Sequence, residues 1–228
     1  MKKLKTKPII GVIGGMGPFA SLHFHQILLN LFKGDLDLPE ILIDSISIND
    51  FTVDDSQILP ALKVITSRVK FMEKLGIDIL VMPCNTAHIL HGQIKKQMTA
   101  NFPNLINLVV DEIKKSHAKN ILLLSSPNTV KKNLYSTAFR HIDQKLILPS
   151  SEELVKIEKV IKSLILGVFD PFAVNSINKI ISSHQEIDAV ILGCTELSLI
   201  SSQISFPQKF DSLEILANHV HSFITSQR

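Results

Sequence analysis

Tryptophan is absent from this 228-residue chain, tyrosine occurs once and cysteine twice. Each scarcity excludes something. Two cysteines are too few for a disulfide framework, and with no targeting segment in the sequence they fit a reducing cytoplasm. The formal charge is only +3, so there is no basic stripe to follow phosphates, and with a single Tyr and no Trp there is no platform on which bases stack; nucleic acid is not an expected partner. Long apolar runs are missing too. No stretch approaches the ~20 continuous apolar residues that cross a bilayer, so no membrane partner is expected. The run Pro8-Ile9-Ile10-Gly11-Val12-Ile13 behind the basic start is cut off by Gly14, Gly15, Gly17 and Pro18. That suits a buried strand entering a loop better than a signal-peptide core.

What is present suffices for a core. With 45% hydrophobic and 20% charged residues, burial can offset chain entropy and the chain reads as globular. Short apolar runs lie at Ile9 to Ile13, Glu40 to Ile48, Ile77 to Met82, Ile106 to Val109, Asn120 to Leu124 and Ala189 to Leu192. They alternate with amphipathic stretches at Phe19 to Phe32, Leu59 to Leu75, Ala87 to Met98, Val130 to His141, Glu152 to Leu166, Ala173 to His184 and Ser212 to Ile224. That alternation predicts an α/β protein with a mainly parallel sheet. Gly34, Gly76 and Gly167 stand where helices stop.

One internal similarity organises the rest. Ile77-Asp78-Ile79-Leu80-Val81-Met82-Pro83-Cys84-Asn85 repeats in type as Ile187-Asp188-Ala189-Val190-Ile191-Leu192-Gly193-Cys194-Thr195, each a buried strand ending in cysteine. Ile9 to Ile13 with Gly14-Gly15 has a looser counterpart in Asn120 to Leu124 with Ser125-Ser126. We therefore expect two similar α/β halves, residues 1–114 with 209–228 and residues 115–208, with a ligand between them.

In parallel sheets, ligands bind outside the carboxyl ends of the strands. Both cysteines occupy that position. If the halves face one another, two thiols approach one ligand from opposite sides, and one can remove a proton from a carbon while the other returns a proton to the opposite face. Sulfur suits such exchange, since a thiol's ordinary pKa of ~8.5 keeps thiol and thiolate both accessible. A helix N-terminus supplies at most about 2 kcal/mol toward ionising one of them. Asn85-Thr86 and Thr195-Glu196 begin the segments after each cysteine, where amides and side-chain donors can hold a carboxylate. A single cysteine after a strand is ordinarily packing; two in matching contexts are more than that.

Two other patterns carry less. Gly11-x-x-Gly14-Gly15-x-Gly17 is not the dinucleotide-binding spacing, and fits a substrate loop or a tight turn. Cys84, His88 and His91 share helical spacing but lack a fourth metal ligand; His88 is expected to support the Cys84 loop by a hydrogen bond.

At Gly14-Gly15-Met16-Gly17-Pro18, Met82-Pro83-Cys84-Asn85-Thr86-Ala87-His88 and Gly193-Cys194-Thr195-Glu196-Leu197 the chain resembles the aspartate/glutamate racemase family over nearly its whole length. The resemblance implies two Rossmann-like halves related by a pseudo-two-fold axis, no pyridoxal phosphate or other cofactor, no metal, a free amino acid as substrate, and often a homodimer. It implies Cys84 and Cys194 as paired acid and base, and Met16, Gly17, Asn85, Thr86, Thr129, Thr195 and Glu196 as substrate contacts. Aspartate-specific members carry an Arg and a Lys at positions that align with Phe51 and Leu166 here. Without those cations a side-chain carboxylate lacks its partners, which predicts a neutral, apolar or basic amino acid in place of aspartate. The same resemblance leaves open maleate isomerase, hydantoin racemase and malonate decarboxylase chemistry, and a binding protein that has lost catalysis.

Overall fold

The computed structural model describes residues 7–48, 51 and 54–227. The chain runs β1 (Ile9–Gly14), α1 (Pro18–Leu31), β2 (Glu40–Ser45), α2 (Ile58–Lys74), β3 (Ile79–Val81), α3 (His91–Lys95), α4 (Leu105–Lys114), β4 (Asn120–Leu124), α5 (Pro127–Lys131), α6 (Leu134–Phe139), β5 (Lys145–Ile147), α7 (Ser151–Ile165), α8 (Pro171–Ser183), β6 (Ala189–Leu192), β7 (Lys209–Asp211) and α9 (Ser212–Thr225). Tighter 3-10 segments cover Asp55–Gln57, Thr86–Leu90 and Thr195–Gln203. The strands form two parallel sheets, ordered β2-β1-β3 and β5-β4-β6-β7.

Alternation along the central strands divides the core into three. Ile10, Val12, Ile79, Val81, Ile121, Leu123, Ala189 and Ile191 face a shared central core with α1, α4 and α9. Their neighbours in sequence turn the other way: Ile13, Leu80 and Met82 pack under α2, and Leu122, Leu124, Val190 and Leu192 pack under α7 and α8. Sheets covered on both faces explain why these strands read as unbroken apolar runs. The repeated aspartates close the two halves alike: Ile9 N donates to Asp78 at 2.7 Å, and Lys119 N and Asn120 N both donate to Asp188 at 2.8 Å.

The structure corrects the reading of Ile106 to Val109 as a strand. These residues lie in α4, whose start is fixed by Asn104, the side chain of which accepts from Asn107 N. Leu105, Ile106, Val109, Val110 and Ile113 form its buried stripe, a helical period that a four-residue window cannot reveal. The helix expected over Val130 to His141 is broken at Asn133, which takes a left-handed φ of 52° between α5 and α6. The stretch Ala87 to Met98 is a 3-10 segment followed by the short α3. The short strands β5 and β7 were not anticipated. β7 pairs with β6, so the return toward the first half begins at α9, which packs on α1 and α4. Among the described residues no helix is long and apolar enough to cross a membrane.

Candidate active site

The loops that follow β1, β3, β4 and β6 meet at one cavity of about 220 Å³. They contribute Gly15 and Met16, Cys84 and Thr86, Ser126, and Cys194 and Glu196; Ile48 and Phe51 come from the segment after β2, and Ile161 and Ile165 from α7. A larger open groove of about 650 Å³ lies along α2 beside Lys63, Lys70 and Lys74. Its lining offers no paired acid and base, whereas the smaller cavity gathers both cysteines of the chain.

The two cysteine motifs touch directly. Thr195 Oγ1 donates to the carbonyl of Pro83 at 3.1 Å, joining the residue after one cysteine to the residue before the other. Both cysteines are thiols without a disulfide, half-buried in the cavity wall. Cys194 Sγ donates to Glu196 Oε2 at 2.9 Å. Burial, then the Glu196 carboxylate, hold the Cys194 thiol well above its ordinary pKa, and the charge of Cys84 adds to the effect. Burial also raises Glu196. Burial thus disfavours ionisation of both groups, and the Cys194 thiol donates to the Glu196 carboxyl group.

The first loop is fixed by its own strain and by its neighbour. Gly15 has φ of +91°, and a Cβ there would lie 2.1 Å from the Ile46 carbonyl oxygen, so only glycine fits. Gly17 is extended, with φ of −178°, which any residue adopts; a side chain there would push Glu196 aside, since its Oε1 would sit 1.8 Å from a Cβ. The Cys84 loop is braced by His88, whose Nδ1 lies 2.8 Å from the Cys84 carbonyl oxygen. A carbonyl only accepts, so Nδ1 carries the proton. Burial lowers the His88 pKa to about 4, keeping the ring neutral. The neighbouring His91 places Nε2 3.0 Å from the Phe102 carbonyl, and among the described residues no group of His, Cys, Asp and Glu is arranged to hold a metal.

The remaining expected contacts separate into those that line the cavity and those that support it. Met16, Phe51 and Thr86 line it. Thr129 stands behind, its Oγ1 2.8 Å from Thr86 Oγ1 and 3.1 Å from Ser126 Oγ. Asn85 does not line the cavity: its Nδ2 donates to Ser212 Oγ at 2.9 Å and its Oδ1 accepts from Tyr135 OH at 2.7 Å. Leu166 caps α7 and is 76% exposed; Ile161 and Ile165, on the inward face of that helix, line the cavity instead. Ser126 was read only as part of the Ser125-Ser126 counterpart of Gly14-Gly15 and given no contact, although it lies in the loop after β4 as Gly15 lies in the loop after β1. Ile48, Ile161 and Ile165 gave no signal in sequence beyond apolar character.

Residues 13–220 match the family model described as Asp/Glu/Hydantoin racemase. The chain is 24% identical over 215 residues to the broad-specificity amino-acid racemase RacX of Bacillus subtilis (strain 168), covering 86% of this chain and 88% of that protein. An aspartate racemase of Picrophilus torridus superposes with a TM-score of 0.83 at 30% identity, covering 96% of this chain and 94% of its own. An aspartate racemase homologue of Pyrococcus horikoshii OT3 superposes with a TM-score of 0.78 at 25% identity, over 96% of this chain and 100% of that one.

Proposed function

The chain belongs to the Asp/Glu/hydantoin racemase family, and from that membership we propose that it is a cofactor-independent isomerase that racemises a free, non-acidic amino acid by moving the α-proton between Cys84 and Cys194. The observation that carries the reading is that both cysteines line one small cavity at the carboxyl ends of β3 and β6. Cys194, held protonated by burial and by Glu196, is the acid of the resting enzyme. Cys84 is then the base, because a proton exchange between two sulfurs needs the second one to start ionised. The Cys84 thiolate takes the α-proton from one face, and Cys194 delivers its proton to the other. The electron pair left on the α-carbon forms the new C–H bond. Turnover leaves the two sulfurs with exchanged protonation, ready for the opposite enantiomer.

The weak acidity of the α-carbon is met by donors around the substrate carboxylate. Thr86 and Ser126, held together with Thr129 in one hydroxyl cluster, supply them, and Glu196 faces the α-ammonium. Two thiols kept reduced accord with a cytoplasmic setting, and the family resemblance with a homodimer.

The test is incorporation of solvent deuterium at the α-position, with loss of optical rotation, in buffer containing a chelator and no pyridoxal phosphate. The wild-type chain exchanges and racemises. Cys84→Ser and Cys194→Ser each lose roughly 10²–10⁴-fold in racemisation. Full activity in either variant sinks the two-thiol reading, and a decarboxylase that survives Cys84→Ser would replace it.

A further inference from the structure

The cavity walls separate apolar from polar side chains. Met16, Ile48, Phe51, Ile161 and Ile165 are apolar, and Glu196, already bonded to Cys194, is the one charged residue among the described residues that line it. The hydroxyls gather at one place, where Thr86, Ser126 and Thr129 bond to one another. Met16, Ile48 and Phe51 pack with Cys84 against the core of the first half, while Ile161 and Ile165 pack with Cys194 against that of the second. Apolar surface therefore flanks each sulfur. Asn49, Asp50, Thr52 and Val53, which flank Phe51 in sequence and lie outside the described residues, include no cation.

Resting on the racemase reading of this site, we propose that the substrate is an amino acid with an apolar side chain of leucine or methionine size, and that Ile48, Phe51, Ile161 and Ile165 set this preference. With the hydroxyl cluster and Glu196 engaged by the substrate's carboxylate and ammonium, the side chain meets isoleucine and phenylalanine. A side-chain carboxylate would find no cation and would face Glu196. A side-chain ammonium would leave water for hydrocarbon without a partner. About 220 Å³ is the room of roughly seven waters at ~30 Å³ each, enough for one medium-sized amino acid. Size sets the lower bound, because alanine leaves much of the apolar wall uncovered, and each unburied methylene forfeits about tenfold or more in kcat/KM.

The experiment measures α-deuterium exchange by proton NMR on the purified full chain with L-leucine, L-methionine, L-alanine, L-aspartate and L-lysine, and binding of L-leucine and L-aspartate by calorimetry. Leucine and methionine are expected to exceed alanine by ~10³-fold in kcat/KM, and aspartate and lysine by more. Ile165→Ala and the milder Phe51→Leu are expected to narrow the leucine-to-alanine ratio, the first by about tenfold. Faster exchange of aspartate, lysine or alanine than of leucine overturns the proposal, as does a ratio that neither variant moves. If aspartate is the best substrate and Cys84→Ser abolishes its exchange, the racemase reading stands and this inference falls. If leucine binds, Ile165→Ala weakens its binding and nothing exchanges, the apolar ligand class stands and the racemase reading falls. Neither binding nor exchange removes both.

Discussion

The carboxylate of Glu196 accepts from Cys194 Sγ, lies 3.4 Å from Thr195 Oγ1, and presses against Gly17. Three motif residues therefore meet on one side chain, and its charge adds to burial in tightening the hold of Cys194 on its proton. Glu196→Gln removes that charge at nearly constant shape. The Cys194 thiol then ionises more readily, so the alkaline limb of the kcat/KM profile against pH moves to lower pH while the acid limb stays in place. An unmoved alkaline limb would show that Glu196 does not hold the proton of Cys194. Gly17→Ala tests the same contact from the other side. The extended backbone accepts alanine without strain, so its effect is steric: the methyl displaces Glu196, and activity is expected to drop by at least ~10²-fold with the circular dichroism spectrum unchanged. Sequence reading placed Gly17 and Glu196 together in one substrate-contacting set, but assigned no contact between them, since nothing in a linear pattern joins residues so far apart.

Helices and their caps carry the next set of consequences. The strand expected at Ile106 to Val109 is a helix because Asn104 caps it and the buried stripe extends to Ile113. Asn104→Ala removes that cap and is expected to cost ~1 kcal/mol in urea unfolding; no change would mean that packing alone fixes the start of α4. A similar ambiguity of one position separated Leu166 from Ile165. Successive residues on a helix point about 100° apart, so an alignment correct to within one residue reverses which side chain meets the ligand. His88, in the 3-10 segment after Cys84, gives a pH signature. The unfolded ring takes a proton near its ordinary value of 6.5, while the native ring stays neutral to about pH 4. His88 therefore contributes stability above pH 6.5 that is lost as the pH falls, by up to about 3 kcal/mol at pH 4. The stability difference between wild type and His88→Gln is expected to shrink over that interval, and a difference independent of pH would refute it.

Contacts between distant parts of the chain hold the two cysteines at one cavity. Tyr135 donates to Asn85, Asn85 to Ser212, and Ser212 Oγ to the Leu192 carbonyl at 2.8 Å, so one buried chain of hydrogen bonds links α6, the Cys84 loop, α9 and β6. Lys132 pairs with Asp55 between the halves, and Thr195 bonds to Pro83. Tyr135→Phe leaves Asn85 Oδ1 buried without its donor and is expected to cost about 1–3 kcal/mol in denaturant unfolding; a neutral result would mean that Asn85 re-pairs elsewhere. Local patterning was enough for the α/β class, the repeated strand-to-cysteine motif and the position of each cysteine beyond a buried strand, because strand period, glycine stops and motif spacing act over a few neighbours. Which side chains line the cavity is a property of the assembled fold. Asn85 turns to Tyr135 and Ser212, Ile165 replaces Leu166, and Ser126 joins Thr86, because those outcomes depend on partners tens of residues away that meet only when the two sheets pack.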